Sequence, residues 1–156
     1  MKKILLSLIA LGGLAALLMA QKTPSTDSTT ESDLPDVVVN GYKAYKSGGY
    51  MLASTTWTRD SALAVDPLIL PAFRNNLALN TSNGGQFLGA DAIATVKLSA
   101  TTKEIYTVAR FERLVIYMNF TCYKVGDKWI VTAIDDNRDP IRILPTAIMS
   151  GQQPIT

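Results

Sequence analysis

The sequence predicts a single α+β domain in which helices come first and an antiparallel sheet packs one face against them. Three observations carry that expectation. Apolar side chains recur at helical spacing beyond Pro35-Asp36. After Lys103 the pattern changes to runs rich in β-branched and aromatic residues. A chain of 156 residues that is 47% apolar and 18% charged suits one hydrophobic core.

In the first helix Val38, Tyr42 and Tyr45 share a face while Lys43 and Lys46 point elsewhere, and Gly48-Gly49 ends it. Val37-Val38-Val39 and Gly41 are poor helix formers within it. A second short helix runs from Tyr50 to Trp57, weakened by Ser54-Thr55-Thr56. Pro67 and Pro71 bracket a loop or a short helical turn, Asn83-Gly84-Gly85 is a turn, and Ala90 to Leu98 reads as a third helix.

Strands are expected at Ile105 to Arg113, Leu114 to Val125 and Trp129 to Asp135. Gly126-Asp127 fits a two-residue hairpin turn with glycine first. Taken literally, that turn pairs Val125 with Lys128, Cys122 with Val131, Phe120 with Ala133 and Met118 with Asp135. One face then carries Ile116, Met118, Phe120, Cys122, Trp129, Val131 and Ala133, almost all apolar, and is expected to bury against the helices. The other carries Tyr117, Asn119, Thr121, Tyr123, Ile130, Thr132 and Ile134, and its mixed character suits a dimer contact.

Ahead of the domain, Met1-Lys2-Lys3, the apolar run from Ile4 to Met19 and the small Ala20 form the pattern of a secretory signal peptide over 1–20, cleaved after Ala20. The competing reading is a retained anchor, but the run is at or below the roughly 17 to 25 residues that span a bilayer. No cysteine follows it, which excludes a lipoprotein anchor. Residues 21–35 are dominated by Ser, Thr, Asp and Pro, with Leu34 the one large apolar residue, and read as a disordered polar linker. The domain is expected over 36–146, with a C-terminal tail over 147–156. The expected location is periplasmic or extracellular in a bacterium, with no stable membrane anchor after cleavage.

Composition excludes several functions. No histidine is present, which removes Ser-His and Cys-His catalysis, His-ligated metals and a histidine pH switch. A single cysteine removes internal disulfides and CxxC chemistry. Loss of Lys2 and Lys3 with the signal lowers Lys+Arg from 15 to 13, equal to the 13 Asp+Glu. A neutral chain lacks the basic field of a nucleic-acid binder, so no nucleic acid is expected. The sequons at Asn80-Thr81-Ser82 and Asn119-Phe120-Thr121 read as chance matches.

Three stretches resemble the nuclear transport factor 2-like superfamily, also called ketosteroid-isomerase-like or cystatin-like. Ser47-Gly48-Gly49-Tyr50 through Trp57-Thr58-Arg59-Asp60-Ser61 looks like the family's "GD…L…F…D" segment, with Gly49 in place of the usual Asp. Phe87-Leu88-Gly89-Ala90-Asp91-Ala92-Ile93 is similar to its "G-x-E-A-I" helix start. Tyr123-Lys124-Val125-Gly126-Asp127-Lys128-Trp129-Ile130-Val131 looks like its closing hairpin. The resemblance spans about residues 36 to 140 and implies a curved antiparallel sheet wrapped around N-terminal helices, a cone-shaped, cystatin-like roll with an internal pocket. Tyr45, Trp57, Ile116, Met118 and Phe120 are the residues expected to line it.

Catalytic members of the family use a carboxylate base near the pocket mouth, so the resemblance makes Asp60 one candidate; otherwise Asp60 is a turn carboxylate beside Arg59 or in solvent. Asp135 shares the apolar face with Met118 in the literal register, where desolvation would raise its pKa, unless the strand has reached the rim and Asp135 is solvated. Asp135-Asp136 looks like an acidic metal pair, yet no further ligands stand nearby, so neither a metal nor any other cofactor is expected. Arg110 and Glu112 suit a polar ligand or, more simply, a cross-strand ion-pair ladder. Cys122 reads as a small buried hydrophobe.

Two functions follow from these residues. The first is an exported, non-catalytic domain that binds a small apolar ligand in its pocket or a protein partner, homodimerising through the sheet face. The alternative is a small isomerase, cyclase or hydratase with Asp60 or Asp135 as general base.

Overall fold

A computed structural model describes residues 34–151. The expected signal peptide, the linker up to Asp33 and the last five residues lie outside them. Helix α1 (Asp36–Thr58) starts behind Pro35, whose carbonyl accepts hydrogen bonds from Val38 N–H (2.9 Å) and Val39 N–H (3.3 Å). Its helical geometry breaks once, at Gly49 (φ 72°, ψ −171°), a conformation that costs a glycine little. Two helical limbs result, divided where Gly48-Gly49 predicts. The Ser/Thr run in the second limb is helical, with its hydroxyls bonded back to earlier carbonyls. Ser54 and Thr55 donate to Met51 O, Thr56 to Leu52 O and Thr58 to Ser54 O, all at 2.9 Å.

After a 3₁₀ turn (Ala62–Val65), helix α2 (Ile69–Gly84) begins between Pro67 and Pro71, where a loop or short helical turn is expected, and runs on to the turn expected at Asn83-Gly84-Gly85. Asp66 Oδ1 opens it by accepting from Leu68 and Ile69 N–H, both at 2.8 Å, and these bonds hold the Asp66 carboxyl below the usual aspartate range. Pro71 is harmless in the first turn, where its missing N–H has no intrahelical partner to lose. Leu70, Phe73, Leu77, Asn80 and Gly84 form the buried stripe, and Gly85 (φ 80°) ends the helix.

Four strands follow, β1 (Phe87–Lys97), β2 (Thr102–Phe111), β3 (Val115–Val125) and β4 (Lys128–Asn137), in an open antiparallel sheet of order β1-β2-β3-β4. The third helix expected over Ala90 to Leu98 is instead edge strand β1. Its alanines favour helix, but pairing along β2 from Phe87–Phe111 to Lys97–Lys103 overrides that local preference. Gly126 turns the β3–β4 hairpin with φ 59°. A short 3₁₀ turn (Pro140–Arg142) and helix α3 (Thr146–Met149) close the described chain.

The hairpin register departs from the expected one. Cys122 pairs with Val131 as expected, but a bulge follows, and Thr121 pairs with Ala133, Phe120 with Ile134 and Met118 with Asp136. Thr132 is the extra residue, and its hydroxyl donates to Thr121 O at 3.2 Å. Beyond the bulge every β4 side chain changes face. Ile134 therefore packs on the core, Ala133 sits opposite Thr121, and the carboxylate opposite Met118 is Asp136 rather than Asp135.

The core is aromatic. Trp57 lies 5.3 Å from the Phe120 ring and 5.1 Å from Tyr42, and Tyr45 lies 4.6 Å from Phe87. The polar tips of these rings are satisfied internally. Trp57 Nε1 donates to Val38 O at 3.1 Å, Tyr42 Oη shares a 2.6 Å hydrogen bond with Thr107 Oγ1, and Tyr45 Oη shares one of 2.6 Å with Thr81 Oγ1. Leu34 packs on the same core and Pro35 is buried, so the packed domain includes the last two residues of the expected linker.

Candidate functional site at the end of strand β4

Past the Thr132 bulge, β4 directs two adjacent carboxylates to opposite sides of the sheet. Asp136 faces inward. Its Oδ2 accepts from Asn80 Nδ2 of α2 at 3.2 Å, Asn76 supplies a second side-chain hydrogen bond, and Asn80 Oδ1 in turn accepts from Arg138 at 3.3 Å. Burial pushes the Asp136 carboxyl above the usual aspartate range. The two asparagine bonds pull the other way, and the neighbouring Asp135 charge adds to the rise. Burial likewise raises the nearby Tyr42 and Tyr45 hydroxyls, with small further contributions from the Asp136 charge. The carboxylate thus joins α2 to β4 and holds its proton to higher pH than an ordinary aspartate.

Asp135 faces outward. It ends a row that crosses the outer face of the sheet through directly paired residues: Ala94, Tyr106, Asn119 and Asp135. Tyr106 is only 3% exposed and donates to Glu104 Oε2 at 2.6 Å, and burial followed by that bond raises its pKa. Asn119 Oδ1 is buried without a hydrogen-bond partner. Between this row and the C-terminal segment lies an open cleft of about 440 Å³, lined by Asn119, Asp135, Asp136, Asn137, Arg142 and Ile143. Residues 142 and 143 therefore stand across the cleft from the outer face.

The other expected site residues are placed elsewhere. Asp60 is exposed in the turn after α1 with φ 64° and does not line the cleft. Tyr45, Trp57, Ile116, Met118 and Phe120 all lie in the buried core, packed against one another and their neighbours. Arg110 pairs across the strands with Asp91 (2.8 Å), while Glu112 accepts from Gln86 N–H (3.1 Å); both are surface contacts of small energetic weight. Cys122 is fully buried, and burial pushes its thiol up to about 12. Neither sequon is free: Asn80 is buried and bonded to Asp136, and Asn119 is half-buried in the sheet. Among the described residues no group of three or more Cys, Asp or Glu can hold a metal ion, and no helix is long and apolar enough to cross a membrane.

A regular strand would place Asp136 on the outer face; the bulge at Thr132 turns it inward. The trace of the bulge is the spacing of core-facing residues, two from Trp129 to Val131 and then three from Val131 to Ile134. No family model, no curated protein and no solved structure matches this chain.

Proposed function

We propose that this chain is an exported, non-catalytic domain of the nuclear transport factor 2-like kind, with its sheet curved around the helices as a cone, that docks a second copy of itself through the outer sheet face. The contrast between the two faces of β3 carries this reading. The inner side chains Ile116, Met118, Phe120 and Cys122 are fully buried in a core filled by the chain's own aromatic rings. On the outer side Val115, Tyr123 and Val125 are exposed, with Tyr117, Asn119 and Thr121 half-buried between them. Such a mixture of aromatic, aliphatic and amide groups is the composition of a non-obligate interface. Sedimentation velocity of the purified chain from tens to hundreds of micromolar tests it. Concentration-dependent dimerisation that Tyr123→Glu weakens is expected; a chain that stays monomeric even when Ile143 and Leu144 of the C-terminal segment are replaced by aspartate overturns the reading.

One observation favours the alternative, a small isomerase, cyclase or hydratase working through a carboxylate base. Asp136 carries a raised pKa and contributes to the lining of the cleft, while its carboxylate bonds Asn80 and Asn76 on the inner side of the sheet. A ¹³C-carboxyl NMR titration against a panel of small apolar carbonyl compounds tests it. A compound that perturbs Asp136 selectively supports a base, and a carboxyl that responds to none rejects it.

A further inference from the structure

The segment after β4 is held differently from the rest of the domain. Pro140 to Gly151 makes its hydrogen bonds within itself or to the adjoining Asp139: Ile141 N–H to Asp139 Oδ1, Leu144 N–H to Pro140 O, Ser150 N–H to Thr146 O. Among the described residues no hydrogen bond joins residues 140–151 to a strand. Ile143, Leu144, Ala147 and Ile148 are half-buried, while Ile141 and Met149 are exposed. Within the described residues the segment meets the sheet without hydrogen bonds, and such a segment belongs to the low-stability end of a fold and opens locally at little cost.

Its position gives that opening a consequence. Arg142 and Ile143 stand over the outer-face row at Asn119 and Asp135, midway along the face whose two ends, Val115 and Tyr123 with Val125, remain exposed. Asn119 leaves a buried carbonyl oxygen unpaired there, which is costly to keep. A carboxamide is both donor and acceptor, so two Asn119 side chains related by a two-fold axis can exchange Nδ2–H···Oδ1 bonds and satisfy each other.

We propose that residues 140–151 are a displaceable strap over the outer sheet face, and that its release lets two copies pair about a two-fold axis through their Asn119 amides. This rests on the docking reading above and adds its regulation: strap and second copy compete for one row.

The experiment compares dimer dissociation constants of the wild-type chain, Ile143→Asp/Leu144→Asp and the milder Ile143→Ser by sedimentation velocity, with far-UV circular dichroism verifying the fold. Release of the strap is expected to tighten the dimer tenfold or more, and Asn119→Ala in the released background is expected to reverse that gain. Equal dissociation constants for wild type and released variants overturn the strap and leave the docking reading standing. A gain that survives Asn119→Ala overturns the two-fold pairing. Monomers in every case overturn the docking reading and the strap with it.

Discussion

Trp57 fills the space that a side chain at position 41 would need. A Cβ built on Gly41 would overlap the indole at Nε1 and Cδ1, and the same Nε1 donates to Val38 O one turn earlier in α1. The glycine that weakens the first limb of the helix is thus what lets the second limb close on it.

Gly41→Ala sets two effects against each other. Helix propensity favours alanine by about 1 kcal/mol, while overpacking beside a fully buried indole costs about 1–3 kcal/mol. The indole is hydrogen-bonded and enclosed by Tyr42, Phe73 and Phe120, so it has little room to yield. A net loss of about 1–2 kcal/mol is expected in urea unfolding followed by tryptophan fluorescence. Unchanged stability would show that the indole moves freely.

Asp136 gives stability a pH dependence of unusual sign for a carboxylate. Its folded pKa is raised, so the folded form binds the proton more tightly than the unfolded form does. The stability it contributes is fully present below the ordinary aspartate range and is lost as pH rises through the raised folded value. Asp136→Asn keeps a hydrogen-bonding group beside Asn80 and removes that loss. Urea midpoints of wild type and variant measured across acidic to neutral pH are expected to move in the variant's favour as pH rises. A constant difference would contradict the raised value.

Asp60 occupies the left-handed region in an exposed turn, where its short polar side chain is tolerated. Asp60→Asn is expected to leave the melting temperature unchanged, while Asp60→Val is expected to lower stability by about 1 kcal/mol through backbone strain. Thermal unfolding of the two variants separates a conformational role for the residue from a charge-based one.

Cys122 is expected to resist thiol reagents while the fold is intact, because burial withholds both access and thiolate character. The probe is the rate of reaction with a chromogenic disulfide at pH 8. Slow labelling in buffer and fast labelling in urea are expected, and equal rates would place the thiol at the surface.

How far the fold could be read in advance depended on whether local pattern and tertiary context agreed. Gly48-Gly49, Gly126-Asp127 and the alternation of β3 were legible because a positive φ or a regular strand leaves a direct mark on residue choice. Strand β1 was hidden by its alanines and by irregular pairing around Ile93, which breaks the period-two pattern. Helix α2 was hidden by Pro71 and its run of asparagines, although Leu70, Phe73 and Leu77 carry the right spacing. The faces of the two carboxylates were hidden for the same kind of reason: Thr132 adds a residue that a literal register cannot see, and so sets Asp136 rather than Asp135 opposite Met118.

The separation in sequence between core partners also shapes how the chain acquires its structure. Tyr42 bonds to Thr107, 65 residues later, and reaches Met118, 76 residues later. The helices are therefore synthesised well before the strands that cover them exist, and closing so long a loop comes before any contact rewards it. A nascent chain ending before β2 still lacks Thr107, Phe111, Met118 and Phe120, against which Tyr42, Tyr45 and Trp57 pack in the finished core. Such non-local pairing defers the core until the strands are present and slows folding relative to a domain of local contacts.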